Sequence, residues 1–464
     1  MSKPYFRYSV YFTPLSDADA SLYGPEIDVS EKIFIDGIAN ISRSIDAGDY
    51  DVGVFTFQEL NLKGFNYNGY FNDENDVRSI FKTTRDRCKV RVVFFRSVPV
   101  RNRQGTILSE VEEETVTFRG LLNEEATRAD IVTESISFKV LSRDSVLRTT
   151  KVQGGTIGNG MLTSVAIENI LSQPRIQAVL TIDPININPP LDFTIDDATR
   201  FNNKTVKDAL DELMLATNSV LLIDDAGVVT IRDRSDNTLT DSLNLYGKSD
   251  EQGRENIIDI TAYNTGRQRM FTAVKVNDTE VNNAVFVAAF GYRQKQTSLD
   301  WITDDVKEAE VAGRLVDEFK FPKIELNVKV STDLTRSVSL LDPVSINYPL
   351  RVKPIEDKFF PVVGSAIVDD VMTPLPYTFG AIEIKPRVSF KIIGIDDNPN
   401  EFTTILKLRQ TGKSYGDGYF DQPGNCKIDF AVIGEAKVCV GGDDCANFNP
   451  SVIAAAQIGC TLVA

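Results

Sequence analysis

The stretch NKTVKDALDELMLATNSVLLIDDAGVVTIRDR, residues 203–234, predicts a helix followed by a β-hairpin. Its first half carries apolar residues at helical spacing, which fall on one face: Val206, Ala209, Leu210, Leu213 and Met214. Thr205 and Asp208 have the spacing of a capping box, which predicts that the helix begins here. Such a stripe is typical of a helix packed on a core rather than of a cofactor site.

The second half of this stretch predicts two strands around a tight turn. Two β-rich arms flank Asp224-Asp225-Ala226-Gly227, and acidic residues followed by glycine suit such a turn. Asp224 and Asp225 could be mistaken for paired catalytic carboxylates. Because turn chemistry accounts for both residues, we assign them no catalytic role.

Short β-rich runs dominate the rest of the chain. Residues 54–62 and 323–330 alternate apolar and polar side chains, which is typical of half-buried strands. Residues 89–100 are more continuously apolar and predict a strand covered on both faces. Helical spacing otherwise occurs only in residues 161–171 and 304–319, and we expect Trp301, just before the latter, to have a packing role. The predicted fold class is mainly β with a minority of helices (α+β).

Proline and glycine mark the boundaries between predicted units. Residues 151–160 and 184–193 have the composition of linkers, and residues 348–386 have that of a long inserted loop. Hydrophobic content of 42% fits a globular protein, and the length suits several domains. The predicted divisions are an N-terminal β-barrel, a helix/hairpin domain, a second barrel with the inserted loop, and a glycine- and cysteine-containing region, over residues 1–150, 151–265, 266–412 and 413–464.

The 464 residues include no histidine, which excludes His-based triads, His-ligated zinc hydrolases and Cys–His nucleophile pairs. No stretch has the length of apolar sequence needed to span a bilayer, and the opening residues do not resemble a signal peptide. We therefore expect a protein made in the cytoplasm, with no membrane insertion of its own and no enzymatic activity.

The order of these elements resembles the baseplate or tail-tip hub proteins of tailed bacteriophages. Residues 42–81 and 116–147 are similar to the strands of a hub's opening barrel, and residues 203–234 to its helix–hairpin. The downstream strands are similar to a second barrel. The usual Gly-Asp of that barrel is Leu341-Asp342-Pro343 here, which departs from the family pattern.

The resemblance implies two hub-type β-barrels per chain and a homotrimer in the virion, assembled in the host cytoplasm. A trimer would present six similar barrels and so adapt a six-fold tail tube to a three-fold tip. The implied partners are a distal tail or tail-tube ring, the tape-measure protein, and a central fibre or spike. Two other functions remain open, namely a receptor-binding tail protein and a wall-degrading enzyme that uses two carboxylates.

A net charge of −16 is the opposite of what a DNA-retaining surface requires. It fits a channel through which DNA passes without specific binding, and equally an acidic surface that only maintains solubility. A local basic cluster contains Arg85, Arg87, Lys89 and Arg91, of which the last three alternate along a predicted strand. We interpret it as a solvated face or a row of salt bridges between subunits.

Four of the five cysteines lie in the last 39 residues, at Cys426, Cys439, Cys445 and Cys460. Their spacing does not match the paired CxxC pattern of zinc sites. Buried thiols, disulfides and a four-thiolate centre therefore remain open. Some tail-tip proteins carry an iron–sulfur cluster on C-terminal cysteines, and this resemblance implies a 4Fe-4S cluster, with zinc as the alternative. We expect Cys88 to be uninvolved.

Overall fold

A computed structural model provides the structure of this chain. It describes residues 5–16, 22–45, 53–57, 59–72, 76–82, 87–101, 107–130, 132–182, 189, 191–224, 227–234, 243–247, 255–264, 267–320, 323–347 and 388–410. In the C-terminal region it describes residues 427–428, 437–439 and 445–447. The predicted inserted loop at 348–386 lies outside the described residues.

The strands of the N-terminal third are β1 (Tyr5–Thr13), β2 (Ile27–Asp28), β3 (Ile33–Ile38), β4 (Ile41–Ile45), β5 (Gly53–Phe57), β6 (Leu60–Phe65), β7 (Lys89–Arg101), β8 (Ile107–Asp130) and β9 (Ser135–Ser142). Those that follow are β10 (Thr181–Ile182), β11 (Ser219–Ile223), β12 (Val228–Asp233), β13 (Leu243–Tyr246), β14 (Ile257–Asn264), β15 (Ala273–Val276), β16 (Thr279–Asn282) and β17 (Gln294–Thr297). The last are β18 (Glu325–Ser331), β19 (Pro343–Asn347), β20 (Val388–Asn398), β21 (Thr403–Gln410), β22 (Lys427–Ile428), β23 (Lys437–Cys439) and β24 (Cys445–Asn447). The α-helices are α1 (Ser145–Thr149), α2 (Thr163–Leu171), α3 (Pro174–Gln177), α4 (Val206–Thr217), α5 (Ala284–Phe290) and α6 (Asp305–Phe319).

The first sheet has seven strands in the order β2-β1-β7-β8-β9-β6-β3. It curls around an aromatic core, because Phe12 of β1 packs edge-on against Phe138 of β9 at 5.4 Å although two strands separate them in the sheet. Phe71 and Phe81 complete this core from the connection between β6 and β7. Fully burying a large apolar side chain contributes about 1.5–3 kcal/mol, so this cluster is a main source of the sheet's stability.

The second sheet has eleven strands, of which nine follow the order β10-β12-β11-β5-β4-β20-β21-β18-β14. β19 pairs with β20 and with β13 beside this path. β4 and β5 come from the N-terminal part of the chain, yet they pair with β20 and β11 respectively. The two sheets are therefore interleaved in sequence, and the predicted domain limits remain predictions.

The mainly β fold with a minority of helices, predicted from the sequence, is confirmed. Two smaller antiparallel or mixed sheets complete it, with the orders β16-β15-β17 and β22-β23-β24. Within the described part of the chain, no helix is long and apolar enough to cross a membrane.

The predicted helices and hairpin are found where the sequence places them. α2, α4 and α6 occupy the three predicted segments, and the predicted inner stripe of α4 is buried. The Thr205 hydroxyl accepts a hydrogen bond from the Asp208 N–H at 3.1 Å, which confirms the predicted cap of α4. β11 and β12 form the hairpin. Trp301 is fully buried beside Phe201, which confirms its packing role.

One strand prediction is wrong. Residues 54–62 form two strands, β5 and β6, which belong to different sheets. The sequence alternates through both strands, and only the pairing partners reveal the break between them. The strands predicted at 89–100 and 323–330 are confirmed as β7 and β18, although β7 is continuously buried only from Val92 to Phe95.

Candidate functional site

The structure describes two of the four predicted site cysteines, and these two lie opposite each other on neighbouring strands. Cys439 of β23 lies directly opposite Cys445 of β24 in an antiparallel register. Residues directly opposite one another in an antiparallel pair have α-carbons about 4.5–5.5 Å apart. This backbone separation is compatible with a disulfide and with two ligands of one metal centre. Cys426 and Cys460 lie outside the described residues.

The third strand of this small sheet extends the arrangement. Lys427 of β22 lies opposite Cys439, and Cys426 immediately precedes Lys427 in the sequence. Two of the four predicted ligands thus belong to one three-stranded sheet, and a third immediately precedes its first strand in the sequence. Elsewhere in the described chain, no three Cys, Asp or Glu side chains converge as a metal-ligand group.

Cys88 has a different environment. Its side chain is fully buried in the core of the first sheet, and its Sγ lies 3.5 Å from the Lys89 carbonyl oxygen. Burial raises the pKa of the Cys88 thiol to about 12, so the reactive thiolate is suppressed. The structure therefore gives Cys88 a packing role.

Asp397 of β20 lies where the two large sheets meet. Its carboxylate is buried and accepts a hydrogen bond from the Thr404 hydroxyl at 2.6 Å. Burial raises the pKa of Asp397, and the nearby Arg43 partly opposes this rise. A cavity of about 140 Å³ adjoins the carboxylate and is lined by residues of both sheets, including Phe94 and Thr117. The lining also includes the hydroxyl side chains of Ser337 and Ser339, whereas Asp397 is the one carboxylate among the described lining residues, which include no cysteine or lysine.

Two ion pairs reinforce the contact between the sheets. Arg96 of β7 binds Asp333 at 2.9 Å, and Arg336 binds Glu113 of β8 at 2.8 Å. All four side chains are partly exposed, so each pair alone contributes about 0–1 kcal/mol. Asp333 and Arg336 both lie in the connection between β18 and β19. The two pairs attach this connection to β7 and β8 of the first sheet, which restricts how the sheets can shift against each other.

The family's Gly-Asp position has an unexpected backbone in this chain. Leu341 is buried and has a φ of 63°, in the left-handed region that favours glycine. Asp342 accepts a hydrogen bond from Arg232 of β12 at 3.0 Å and another from the Ser339 N–H at 2.7 Å. The leucine thus has a conformation suited to the glycine that the pattern expects.

The remaining candidate residues have local roles. The Asp224 carboxylate accepts a hydrogen bond from the Val228 N–H at 2.8 Å within the hairpin turn, as predicted, whereas Asp225 lies outside the described residues. In the basic cluster, Lys89 lies over the Tyr23 ring at 3.6 Å and Arg91 pairs with Glu26 at 2.7 Å.

These in-chain contacts agree with a solvated face on β7. Arg87 is exposed just before the strand begins, and Arg85 lies outside the described residues. The described cations of this cluster do not form a continuous stripe for phosphate contacts.

Known proteins were compared with this chain by sequence and by structure. No protein-family model matches the sequence, and no curated protein matches it. The fold is similar to that of a tail protein from Neisseria meningitidis MC58, with 12% identity, a TM-score of 0.50, and coverage of 88% of this chain and 98% of that one.

Two further structures align less closely. One is the 43 kDa tail protein of prophage MuSo2 from Shewanella oneidensis, with 12% identity, a TM-score of 0.45 and coverage of 86% and 96% of the two chains. The other is prophage tail protein gp18 from Listeria monocytogenes EGD-e, with 12% identity, a TM-score of 0.45 and coverage of 87% and 95%. The chain therefore has the fold of a tail protein, as the sequence resemblance predicted.

Proposed function

We propose that this chain is the structural hub of a phage tail tip or baseplate. The observation that carries the proposal is the fold shared with a tail protein over 88% of this chain and 98% of the other. The interleaved sheets and their polar contact suit a rigid adaptor. The absence of histidine removes the commonest general base from the chain, which favours a structural role over an enzymatic one.

In this proposal, three copies form a ring that adapts the six-fold tail tube to a three-fold tip. A distal tail or tail-tube ring would contact one side, and a central fibre or spike the other. The tape-measure protein would end inside the ring. Symmetry adaptation requires large interfaces between rigid sheets and no reacting groups.

We further propose that the ring forms part of the DNA-ejection channel and holds DNA very weakly. Three copies at −16 each carry a formal charge of −48, which opposes retention of a polyanion. Filter binding of duplex DNA by the isolated protein should detect no retention at physiological salt. Tight, salt-sensitive binding would exclude a passive channel wall.

The C-terminal cysteines are proposed to form one structural centre, with Cys426, Cys439, Cys445 and Cys460 as ligands of a 4Fe-4S cluster or zinc. The opposed register of Cys439 and Cys445 fits this donor set, since it gives two of the four thiolates a common face. When bound, the metal would cross-link the small three-stranded sheet. A disulfide between the same two residues is the alternative that the register also accommodates.

Labelling the protein in its parent particle tests the hub proposal. A gold-tagged chain should be found at the distal end of the tail, on the tail axis. Label on a side fibre would instead favour a receptor-binding protein. Lysis of purified host wall by the isolated protein would favour the wall-degrading enzyme.

A further inference from the structure

The described surface includes two exposed apolar patches that differ in structure. The first, called the edge patch, surrounds the edge strand β3 and is formed by Phe34, Ile35, Phe65, Tyr67 and Val132. Ile35 is fully exposed, and 94% of Val132 and 62% of Tyr67 are exposed. Clustered exposed apolar side chains mark an interaction site more often than isolated ones do.

The backbone of β3 holds the edge patch outward. Between Ile33 and Ile38 the register shifts, because the facing residues on β6 are Gly64 and Leu62. Residues 34–37 therefore bulge from the ladder. Gly37 permits the close approach to β6, since a β-carbon there would lie 2.2 Å from the Lys63 carbonyl oxygen. The bulge presents Phe34 and Ile35 on the surface, where the Phe34 ring packs edge-on against Phe65 at 4.2 Å.

The second patch, called the helix patch, is formed by Val285, Phe286 and Phe290 of α5 and by Tyr292. The sequence of α5 is AVFVAAF, without a polar residue, and none of its described side chains is buried. Val285 is 69% exposed and Tyr292 is 55% exposed. A helix that is apolar all round is normally buried, so α5 is expected to have a covering partner.

The borders of the two patches have opposite net charge. Asp36, Asp130 and Glu134 lie in the segments of the edge patch together with the cations Lys32 and Lys63, so acidic groups are in excess there. The border of the helix patch carries the cations Arg293, Lys295 and Lys320 beside the carboxylates Asp317 and Glu280. Opposite signs on unlike apolar patches favour contact between one patch and the other, rather than of either with itself.

We propose that the edge patch of one copy of this chain binds the helix patch of the next copy. A contact between two different faces is head-to-tail, and it closes into a ring when the rotation between copies permits. A self-complementary patch would instead give a two-fold dimer. The inference rests on the proposed homotrimer and names the surfaces that would build it.

Two aspartate variants of the full-length chain test this pairing. I35D disables the edge patch, and V285D disables the helix patch. V306D serves as the matched control, because Val306 is 74% exposed on α6 outside both patches. Native mass spectrometry should show trimers for the wild type and V306D, and monomers for I35D and for V285D. Circular dichroism should show that all four proteins are folded.

An equimolar mixture of I35D and V285D gives the sharpest result. Each variant retains the patch that the other lacks, so the mixture should form a two-copy species that cannot close into a trimer. Normal trimers in either single variant, or a mixture without the two-copy species, would overturn the inference. The second result would assign the helix patch to another occupant, such as this chain's own C-terminal region.

A photo-crosslinking residue at position 35 extends the test to assembled particles. The expected product joins position 35 of one copy to residues 284–292 of another, identified by mixing isotopically light and heavy protein. Crosslinks only within one copy, or only to other proteins, would contradict the pairing. The hub proposal itself would survive that result if the labelled chain still lies on the tail axis, so the two failures are distinguishable.

Discussion

The Asp211 carboxylate on α4 accepts a hydrogen bond from the backbone N–H of Val54, at 2.7 Å, across 157 residues of sequence. Gly53 precedes this contact with a φ of 128°, and a β-carbon there would lie 2.7 Å from the same carboxylate oxygen. Lys207 pairs with Asp211 at 2.7 Å and fixes its orientation. The contact joins the helix–hairpin to the start of β5, and it thereby connects two segments that the sequence assigns to different domains.

Removing this contact should destabilise the whole fold. D211A leaves the buried Val54 N–H without an acceptor, and we expect a loss of about 1–3 kcal/mol in the free energy of unfolding. D211N keeps an acceptor and should lose less. Asp208 is exposed on the same helix, so D208A is the control and should change stability by less than about 1 kcal/mol. Urea unfolding measures all three, and equal stability of D211A and D208A would contradict the role of the contact.

The left-handed backbone at Leu341 predicts that the usual order of stability of alanine and glycine variants is reversed at this position. Glycine is normally about 0.5–1 kcal/mol less stable than alanine within regular structure. A left-handed backbone costs a non-glycine residue about 1–2 kcal/mol, so L341G should be more stable than L341A. Both should be less stable than the wild type, because each removes a buried side chain.

The adjacent Leu340 provides the matched control for this test. It is equally buried and is not among the residues with positive φ. L340A should therefore be more stable than L340G in thermal unfolding. The same order of alanine and glycine at both positions would argue against the left-handed conformation at Leu341.

Because Asp397 is buried, we expect the free energy of unfolding to fall as pH rises. Burial raises the pKa of this carboxyl above its usual value near 3.8, so the folded chain binds a proton that the unfolded chain releases. Arg43 and Asp396 are the charged groups that face it, and Arg43 only partly offsets the burial. The cost is absent below the unfolded pKa and complete above the raised folded pKa.

D397N should remove this pH-dependent cost while keeping an acceptor for Thr404. We expect the free energy of unfolding of D397N, relative to the wild type, to increase between pH 4 and pH 8. D396N removes the neighbouring ion pair with Lys407 and should show no such gain. A D397N difference that is constant with pH would mean that Asp397 is ionised in the folded protein throughout that range.

The proposed metal centre predicts that the metal content of the protein depends on the C-terminal cysteines and not on Cys88. In anaerobically purified protein, iron or zinc should be present in the wild type and in C88A, and strongly reduced in C439A and C445A. Elemental analysis and the visible absorption spectrum provide the readout. Metal-free wild-type protein with all four C-terminal thiols freely alkylated would eliminate the metal centre. Metal-free protein in which Cys439 and Cys445 resist alkylation until reduced would indicate the disulfide.

Local signals explain what the sequence predicted correctly. α4, its Thr205 cap and the following hairpin depend on spacing and turn chemistry within a few residues, so they are readable without a partner. The break between β5 and β6 depends on which distant strands pair with them, and alternation alone does not contain that information.

The candidate sites also combine features that local sequence predicts with features that depend on distant parts of the chain. Clustering identified Cys439 and Cys445, but their register comes only from the strand pairing. The Leu341 conformation was missed because leucine gives no sign of a left-handed backbone, although its place in the Gly-Asp pattern was a signal. The exposure of Ile35 depends on a bulge, and its one sequence signal is Gly37 within an apolar run.

The copy number of this chain at the tail tip tests the central claim most directly. Cryo-electron microscopy of the parent particle, with the chain located by a C-terminal tag, measures both number and symmetry. If the chain is the proposed hub, three copies are expected in a closed ring around the tail axis. A single copy, or copies placed only on peripheral fibres, would contradict it.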